Sequence, residues 1–262
     1  NVTPDSFSDG GAHAGLRQAI ARGIWMAAEG ADLIDVGGQS TRPGAAPVAL
    51  AEELRRTIPV IRALAQEVRI PISIDTMKAD VAQRAIDAGA SIINDVSALR
   101  ADPAMARTAA SARAAVILMH MQGTPRSMQV RPRYRDVVAE VSAFLRAQAR
   151  QAQEAGIRPD RILIDPGIGF GKTVAHNLEL MRRLSELVRL GWPVVVGPSR
   201  KSFIGKTLDA AVEERLPGSL ACVASVWHSG AHLVRVHDVK ETVQMIRMLN
   251  AIGTAHAPRR QH

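Results

Sequence analysis

Seven short apolar runs of the chain each end abruptly in polar or charged residues, and a stretch of helical periodicity follows each run sooner or later. The runs occupy residues 33–36, 72–74, 92–93, 116–119, 162–164, 194–196 and 233–234. Strand, polar tip and helix, repeated along 262 residues, predict an α/β fold of the (β/α)8 TIM-barrel class. The carboxyl ends of such strands meet at one mouth, so the polar tips are predicted to face one ligand.

The pattern predicts a single barrel domain over residues 1–252 and a flexible tail over 253–262. Eight helices are expected, and the connection through Gly205 is read as a long loop. The expected helices cover residues 16–29, 49–68, 78–88, a segment capped by Asp102, 134–155, 174–190, 218–228 and 240–249. Because a helix precedes the first predicted strand, we expect one barrel strand mostly upstream of Asn1 and a barrel that is open on that side.

The net charge of +8 is large enough to raise the question of nucleic-acid binding. The arginines, however, are spread over different predicted helices, and aromatic residues make up only 3% of the chain, too few for a base-stacking surface. We therefore predict no nucleic-acid partner. The basic surface is expected to be solvated and to attract anionic substrates to a mouth that contains Arg42, Lys201 and Arg235.

Two further classes of protein are disfavoured by composition. No apolar run approaches the roughly 20 residues that a membrane-spanning helix needs, so no membrane partner is expected. The single cysteine, Cys222, excludes an internal disulfide framework and favours a cytoplasmic location. Cys222 lies in an apolar helical stretch and is predicted to be a buried thiol rather than a nucleophile.

Acidic or amide side chains end three of the predicted strands, at Asp75, Asn94 and Asp165. A carboxylate accepts hydrogen bonds from ring N–H or amino groups, and an amide both donates and accepts. Three such groups at converging strand ends indicate a site for a planar heterocycle with alternating donors and acceptors. Helix caps and turns are the alternative reading, because Asp and Asn are common at both.

A second set of polar residues, Arg42, Arg235 and His237, indicates an anion site. A guanidinium matches the oxygens of a phosphate, and Arg235 and His237 are two residues apart on one predicted strand, so they point the same way. The Ser40 and Thr41 hydroxyls beside Arg42 also favour an oxyanion ligand. Ordinary ion pairing with Asp238 or Glu241 is the alternative.

Two other features are ambiguous or misleading. Lys201, near another strand tip, is read as a charge clamp, a Schiff-base lysine or a solvated side chain. The glycine-rich segment 165–173 suggests a phosphate-binding P-loop, but Pro166 stands where that motif needs glycine. The histidines show no metal-ligand spacing, so a zinc site is not expected.

Taken together, these segments resemble the dihydropteroate synthase family. The matching stretches occur in family order and span nearly the whole chain, at residues 1–10, 35–44, 74–76, 93–95, 119–123, 165–172, 199–202 and 235–238. Gln39 stands where many members have Glu, and Ile168 where Phe is common. The resemblance implies a TIM barrel, a homodimer and Mg²⁺ as cofactor. The family is also the target of sulfonamides. The implied reaction joins p-aminobenzoate to 6-hydroxymethyl-7,8-dihydropterin diphosphate and releases pyrophosphate in folate biosynthesis.

The resemblance also implies roles for individual residues. The groups implied to hold the pterin are Asp75, Asn94, Asp165 and Lys201. The groups implied to grip the diphosphate are Thr41, Arg42, Arg235 and His237, with Asn1 placing Mg²⁺. The groups implied to line the p-aminobenzoate pocket are Pro43, Phe170, Lys201 and Ser202. Asp5, Phe7 and Asp9 are implied to belong to a mobile loop that closes over the site.

Chemistry agrees with this assignment. Pyrophosphate is a good leaving group once Mg²⁺ and arginines neutralise its charge, and its departure leaves a cationic methylene on the pterin. Asp9 would stabilise that cation, with Lys201 and Arg235 as the other catalytic residues. The neutral aniline nitrogen then attacks, so the protein needs no nucleophile. The alternatives are a pterin-binding methyltransferase barrel that serves a corrinoid protein, a basic nucleic-acid-binding module and a class I aldolase.

Overall fold

The computed structural model describes residues 2, 11–40 and 44–254. Strands and helices alternate along these residues, as the apolar runs predict. The strands are β1 (Ile34–Gly37), β2 (Ile72–Asp75), β3 (Ile92–Asp95), β4 (Ala115–Met119), β5 (Ile162–Asp165), β6 (Val195–Val196) and β7 (Leu233–Val234). The helices are α1 (Gly11–Ala28), α2 (Leu50–Glu67), α3 (Ala79–Asp87), α4 (Met105–Ser111), α5 (Val137–Glu154), α6 (Val174–Arg182), α7 (Leu184–Val188), α8 (Ser202–Leu208), α9 (Leu216–His228) and α10 (Val239–Thr254).

The strands form the parallel sheet of an α/β barrel, with strand order β1-β2-β3-β4-β5 in one part and β6-β7 in the other. A parallel bridge between Ile164 and Val194 joins the two parts. The register places Asp75 beside Asn94, and Met119 beside Asp165. Residues directly opposite each other point to the same face of a sheet, as do residues two apart on one strand. Asn94 lies opposite Ile117, two residues before Met119, so Asp75, Asn94 and Asp165 all project into the barrel.

The side chains that alternate with the inward-facing tips form the hydrophobic core against the helices. Ile74, Ile93, Leu118 and Ile164 are each completely buried on the outer face of the sheet. Burial of each such side chain stabilises the fold by about 1.5–3 kcal/mol. Successive side chains of a strand point to opposite faces of the sheet. The apolar residues therefore face the helices, and the polar tips surround one interior space.

The barrel has no backbone ladder between β7 and β1 among the described residues. Val2 donates its N–H to O of Gly37 (2.8 Å), on the edge of β1 that β2 leaves free. This is the side on which the sequence predicts an opening. A cavity of about 580 Å³ begins here, between α1 and α10, and continues into the barrel interior.

The structure corrects three predicted elements. The helix expected over 174–190 is interrupted at Arg183, where φ is −107° and ψ is 22°, and so forms α6 and α7. The connection through Gly205 contains α8, whose seven residues are too few to give a helical period. The last helix continues to Thr254, past both its predicted end at 249 and the predicted start of the tail at 253.

The cap at Asp102 is also reassigned. The sequence predicts that it caps the helix that follows, but α4 begins only at Met105. Asp102 Oδ1 accepts from N of Ala104 (2.9 Å), and Oδ2 accepts from N of Ala79 (2.8 Å). Its carboxylate therefore satisfies the first N–H of α3 and links two helices that are consecutive in the chain.

No helix in the described part of the chain is both long and apolar enough to cross a bilayer.

Cys222 is partly buried, and burial raises its thiol pKa to about 11. A thiol with a raised pKa is a poor nucleophile, as its apolar sequence context suggests.

Asp95 shapes the loop after β3 and gives a test of the fold. It is completely buried, and its carboxylate accepts from N of Ser97 (2.7 Å), Oγ of Ser97 (2.7 Å) and N of Leu99 (3.0 Å). We predict that Asp95→Ala lowers the free energy of unfolding by about 2–4 kcal/mol, because two backbone N–H groups lose their acceptor. Urea unfolding followed by circular dichroism measures this.

The matched control is Asp87→Ala, which removes an exposed carboxylate near the end of α3. We expect it to change the unfolding free energy by less than about 0.5 kcal/mol. Equal effects of the two substitutions would show that Asp95 does not organise the loop.

Candidate active site

The centre of the barrel mouth is an ion-pair cluster around Arg235, which follows β7. Arg235 Nε donates to Oδ2 of Asp35 (2.6 Å), and Arg235 Nη2 lies 3.6 Å from Oδ2 of Asp75. The guanidinium side chain is 40% exposed, whereas the two carboxylates are 11% and 7% exposed. The coulombic effect of Asp35 and Asp75 raises the pKa of Arg235, so this side chain is a fixed cation.

Asp35 is the shared acceptor of the cluster. It lies within β1 and accepts from Oγ of Ser73 (2.5 Å) and Nδ2 of Asn94 (3.3 Å), as well as from Arg235. Asp35 is not among the predicted site residues, because it occurs inside an apolar run rather than at the end of one. An acidic side chain in the middle of an otherwise apolar strand is the sequence feature that could have identified Asp35 as a site residue.

Asp75 is the most perturbed acid of the cluster. Burial and the adjacent Asp35 carboxylate raise its pKa to about 7, against the opposing effect of Arg235. A carboxyl group with a pKa near neutrality changes its protonation state easily when a ligand donates or accepts a hydrogen bond. Asp75 and Asn94 are neighbours in register, so together they present an acid and an amide to the interior.

Asp165 and Lys201 form a second acid–base pair on the other side of the mouth. Asp165 is 8% exposed and accepts from N of Gly167 (2.6 Å). Burial raises the pKa of Asp165, which Lys201 opposes, and burial lowers the pKa of Lys201 to about 8. Lys201 Nζ donates to O of Ile168 and lies 4.7 Å from the ring centroid of Phe170. Lys201 is therefore an engaged group and not a solvated side chain.

His237 is held by Ser199, which lies three residues after β6. Ser199 Oγ accepts from the backbone N–H of His237 (3.2 Å) and lies 2.9 Å from Nδ1 of its ring. Burial and the Arg235 cation lower the pKa of His237, so the ring is neutral. When the buried hydroxyl donates to Nδ1, the ring proton is on Nε2, where it can donate to a ligand.

Asp238 does not pair with Arg235, which answers the alternative raised by the sequence. Asp238 instead pairs with Arg200, through Nη2 (2.6 Å) and Nε (2.9 Å). Arg200 has a φ of 55°, and its backbone N–H donates to Oγ of Ser219 (2.8 Å). This bidentate pair fixes the segment that carries Lys201 and leaves Arg235 for the barrel interior.

The cavity of about 580 Å³ brings most of these groups together. Five polar groups that line it are Asp35, Asn94, Asp165, Arg235 and His237. Asp75 reaches the same cluster through Arg235, and Lys201 lies beside Asp165. The predicted convergence of Asp75, Asn94, Asp165, Lys201 and Arg235 on one mouth is therefore present in the structure.

The remaining predicted residues divide into two groups. Phe170 lies at the rim beside Lys201, and Ser202 is the exposed first residue of α8. Seven predicted residues fall outside the described residues: Asn1, Asp5, Phe7, Asp9, Thr41, Arg42 and Pro43.

A buried network supports the loop that follows β1. Glu53 is 1% exposed, pairs with Lys78 and accepts from Oγ1 of Thr76 (2.6 Å). Gln39 Oε1 accepts from Nζ of Lys78 (3.0 Å) and from N of Val48 (3.1 Å). The neutral amide of Gln39 thus closes the loop without placing a second carboxylate beside Glu53.

The glycine-rich loop after β5 does not present a phosphate-binding lysine. Gly167, Gly169 and Gly171 have φ values of 66°, 83° and 60°, so the chain curls tightly. The Lys172 ammonium is buried within this curl, where burial lowers its pKa to about 7 and the nearby Asp165 favours the charged form. The lysine side chain therefore does not reach the mouth.

The described residues contain no group of three or more His, Cys, Asp or Glu side chains arranged to hold a metal ion. Asn1, the predicted metal ligand, is not among them.

Known proteins are similar to this chain over nearly all of its length. Residues 1–237 match the family described as pterin binding enzyme. A dihydropteroate synthase of Escherichia coli (strain K12) is 48% identical over 260 residues, which is 99% of this chain and 92% of that protein.

Two solved structures show the same likeness in three dimensions. Dihydropteroate synthase of Xanthomonas albilineans with 4-aminobenzoic acid has a TM-score of 0.92 and 47% identity, covering 98% of this chain and 92% of that one. The same organism's enzyme in complex with 7,8-dihydropteroate has a TM-score of 0.88 and 44% identity, with the same coverage of 98% and 92%. The chain therefore belongs to the pterin-binding enzymes and, within them, to the dihydropteroate synthase family.

Proposed function

We propose that the protein joins p-aminobenzoate to 6-hydroxymethyl-7,8-dihydropterin diphosphate, giving 7,8-dihydropteroate and pyrophosphate in folate biosynthesis. The observation that carries the proposal is the arrangement of Asp35, Asn94, Asp165 and Arg235 around one interior cavity, with Asp75 3.6 Å from the Arg235 guanidinium. The named relatives favour this reaction over the corrinoid-linked methyltransferase.

The acids and the amide are proposed to recognise the pterin ring. A pterin has donors at its 2-amino group and ring N–H positions and acceptors at its carbonyl oxygen and other ring nitrogens, so it needs both acceptors and donors from the protein. Asp75 and Asp165 supply the acceptors, and Asn94 supplies both kinds of group. Because the site is buried, each hydrogen bond that the ring leaves unmade would be costly, which gives selectivity for this ring.

The cations are proposed to hold the diphosphate. Arg235 uses Nε for Asp35, and its side chain is 40% exposed, so phosphate oxygens can bind its terminal nitrogens in place of water. The Nε2–H of His237 is a second donor on the same segment. Thr41 and Arg42 are proposed to complete the grip, as the family resemblance implies.

The reaction is proposed to pass through a cation on the pterin methylene. The bond between that carbon and the diphosphate oxygen breaks, and the electron pair leaves with pyrophosphate. The lone pair of the aniline nitrogen then forms the new carbon–nitrogen bond, and the nitrogen loses its proton to solvent. Asp9 is proposed to stabilise the cation, while Phe170, Ser202, Pro43 and Lys201 hold p-aminobenzoate and Asp5 and Phe7 help to close the site.

Mg²⁺ is proposed as the cofactor of this step. The described residues offer no acidic cluster for it, so its ligands would come from the diphosphate oxygens and Asn1. When bound, the ion supplies positive charge that stabilises the leaving pyrophosphate. We also propose, from the family resemblance, that the protein is a cytoplasmic homodimer.

The direct test measures pyrophosphate release from both substrates with Mg²⁺. We expect release by the wild-type protein and a loss on the order of 30- to 1,000-fold in pterin affinity for Asp165→Asn, since removing a buried ligand-facing charge costs about 2–4 kcal/mol. Asp160→Asn is the control, because Asp160 forms an exposed pair with Arg158. Unchanged pterin affinity in Asp165→Asn, or no release by the wild type, would refute the assignment.

A second prediction concerns pH. Ring N–H groups that donate to Asp75 favour its ionised form, so binding of the pterin releases a proton wherever the free carboxyl, with a pKa of about 7, is protonated. Pterin affinity should therefore rise as pH increases toward 7 and level off above it. Titration calorimetry in buffers of different ionisation enthalpy counts the released protons.

Asp75→Asn removes the titrating group and should bind more weakly, with no rise in affinity over the same pH range. Asp80→Asn, at the exposed start of α3, is the matched control and should behave as the wild type does. If Asp75→Asn kept the full pH dependence, the titration would belong to another group.

A further inference from the structure

Lys172 carries a buried charge that the proposed reaction does not use. Its side chain is only 3% exposed. Nζ lies 2.9 Å from O of Phe170, 3.0 Å from O of Gly167 and 3.0 Å from Nδ1 of His120. The three N–H donors of an ammonium group thus have three acceptors, from the loops that follow β4 and β5.

His120 is held in the state that this contact requires. It is 7% exposed, and burial together with Lys172 lowers its pKa to about 3, so the ring is neutral. Since Nδ1 faces the ammonium, Nδ1 is the acceptor and the ring proton sits on Nε2. The rings of Phe144 and Tyr134 pack against His120 with centroids at 4.9 Å and 6.0 Å, which fixes its orientation.

The two loops touch through their backbones at the same place. A Cβ on Gly167 would lie 2.0 Å from O of His120, so only glycine fits there. Tyr134 donates its hydroxyl to O of Gly171 (2.8 Å). Carbonyl oxygens of both loops therefore crowd around one point, and the Lys172 ammonium is the cation that compensates them.

The consequence reaches the mouth through Phe170. Lys172 binds the carbonyl of Phe170 from inside the loop, while the Phe170 ring lies beneath Nζ of Lys201 at the rim. Gln129 Nε2 donates to O of Gly169 (2.8 Å) from the other side. The position of the Phe170 ring is thus set by contacts on its own backbone.

We infer that Lys172 is a positioning residue. Its ammonium donates to His120 and holds the loop 165–172 in place. The loop in turn holds Phe170 beside Lys201, where p-aminobenzoate binds. This inference rests on the proposed function for the identity of the substrate. Lys172 takes no part in the chemistry, since its donors are occupied and its side chain is enclosed.

The first test is Lys172→Met, which keeps the length of the side chain and removes its charge. At pH 6 we expect the KM for p-aminobenzoate to rise on the order of tenfold, while the KM for the pterin diphosphate stays within about threefold. Asp75, Asn94 and Arg235 belong to other elements, and the pairing of β4 with β5 still holds Asp165, the last residue of β5. Lys240→Met, at the exposed start of α10, is the control for loss of one positive charge and should change neither constant.

A pair of substitutions at His120 tests the acceptor separately. The amide oxygen of His120→Asn can take the place of Nδ1 and should keep the KM for p-aminobenzoate within about threefold of the wild type. His120→Leu has no acceptor and should reproduce Lys172→Met. If Lys172→Met failed to fold, this pair would decide, and equal KM values for the two variants would overturn the inference.

Nitrogen-15 NMR of the histidine rings detects the contact between Lys172 and His120 in the absence of substrate. We expect His120 to show the Nε2–H tautomer in the wild type at pH 6, where Lys172, with a pKa of about 7, is charged, and to lose this single-tautomer signature in Lys172→Met. An unchanged signature, or an equal rise in both KM values, would overturn the inference. A wild type that shows the tautomer but no turnover would refute the proposed function and leave the contact itself established.

Discussion

The structure depends on one guanidinium that lies between two sheltered carboxylates. Arg235 follows β7, and Asp35 and Asp75 stand on β1 and β2. In the described residues β1 pairs with β2 and β7 with β6, so the ion pairs join the carboxyl ends of strands that are not partners in the sheet. Arg22 on α1 adds a hydrogen bond to this region, from Nη2 to O of His237 (3.1 Å). These contacts place the charges of the mouth.

Such a cluster is poorly explained by stability alone. Burying carboxylates disfavours their charged form, and the raised pKa values of Asp75 and Asp165 record that penalty. Buried ion pairs often contribute little net stability compared with apolar side chains of the same volume. Their retention makes sense if a ligand needs them, and a heterocycle rich in N–H donors with an anionic tail needs both the acids and the arginine. Perturbed acids gathered in a cavity are typical of functional sites.

Much of the site could be predicted because it follows from the geometry of parallel strands. Asp75, Asn94 and Asp165 end apolar runs, and the register carries them to one rim. Asp35 was missed because it interrupts a run rather than ending it. The partner of Arg235 also could not be read from the chain, since Asp35 is 200 residues away and Asp238 is three residues away, yet Asp238 pairs with Arg200. The inward turn of Lys172 depends on three glycines with positive φ, and α8 is too short to show a period.

The central claim is that Arg235 and Asp35 act as one unit that prepares the mouth for the pterin. A double-mutant cycle on pterin affinity, with Arg235→Gln, Asp35→Asn and both together, tests it most directly. We expect each single substitution to weaken binding at least about tenfold, and the double substitution to weaken it no more than the stronger single one, because either change breaks the same unit. Losses that simply add would contradict the claim, since they would show that the two side chains contact the ligand independently.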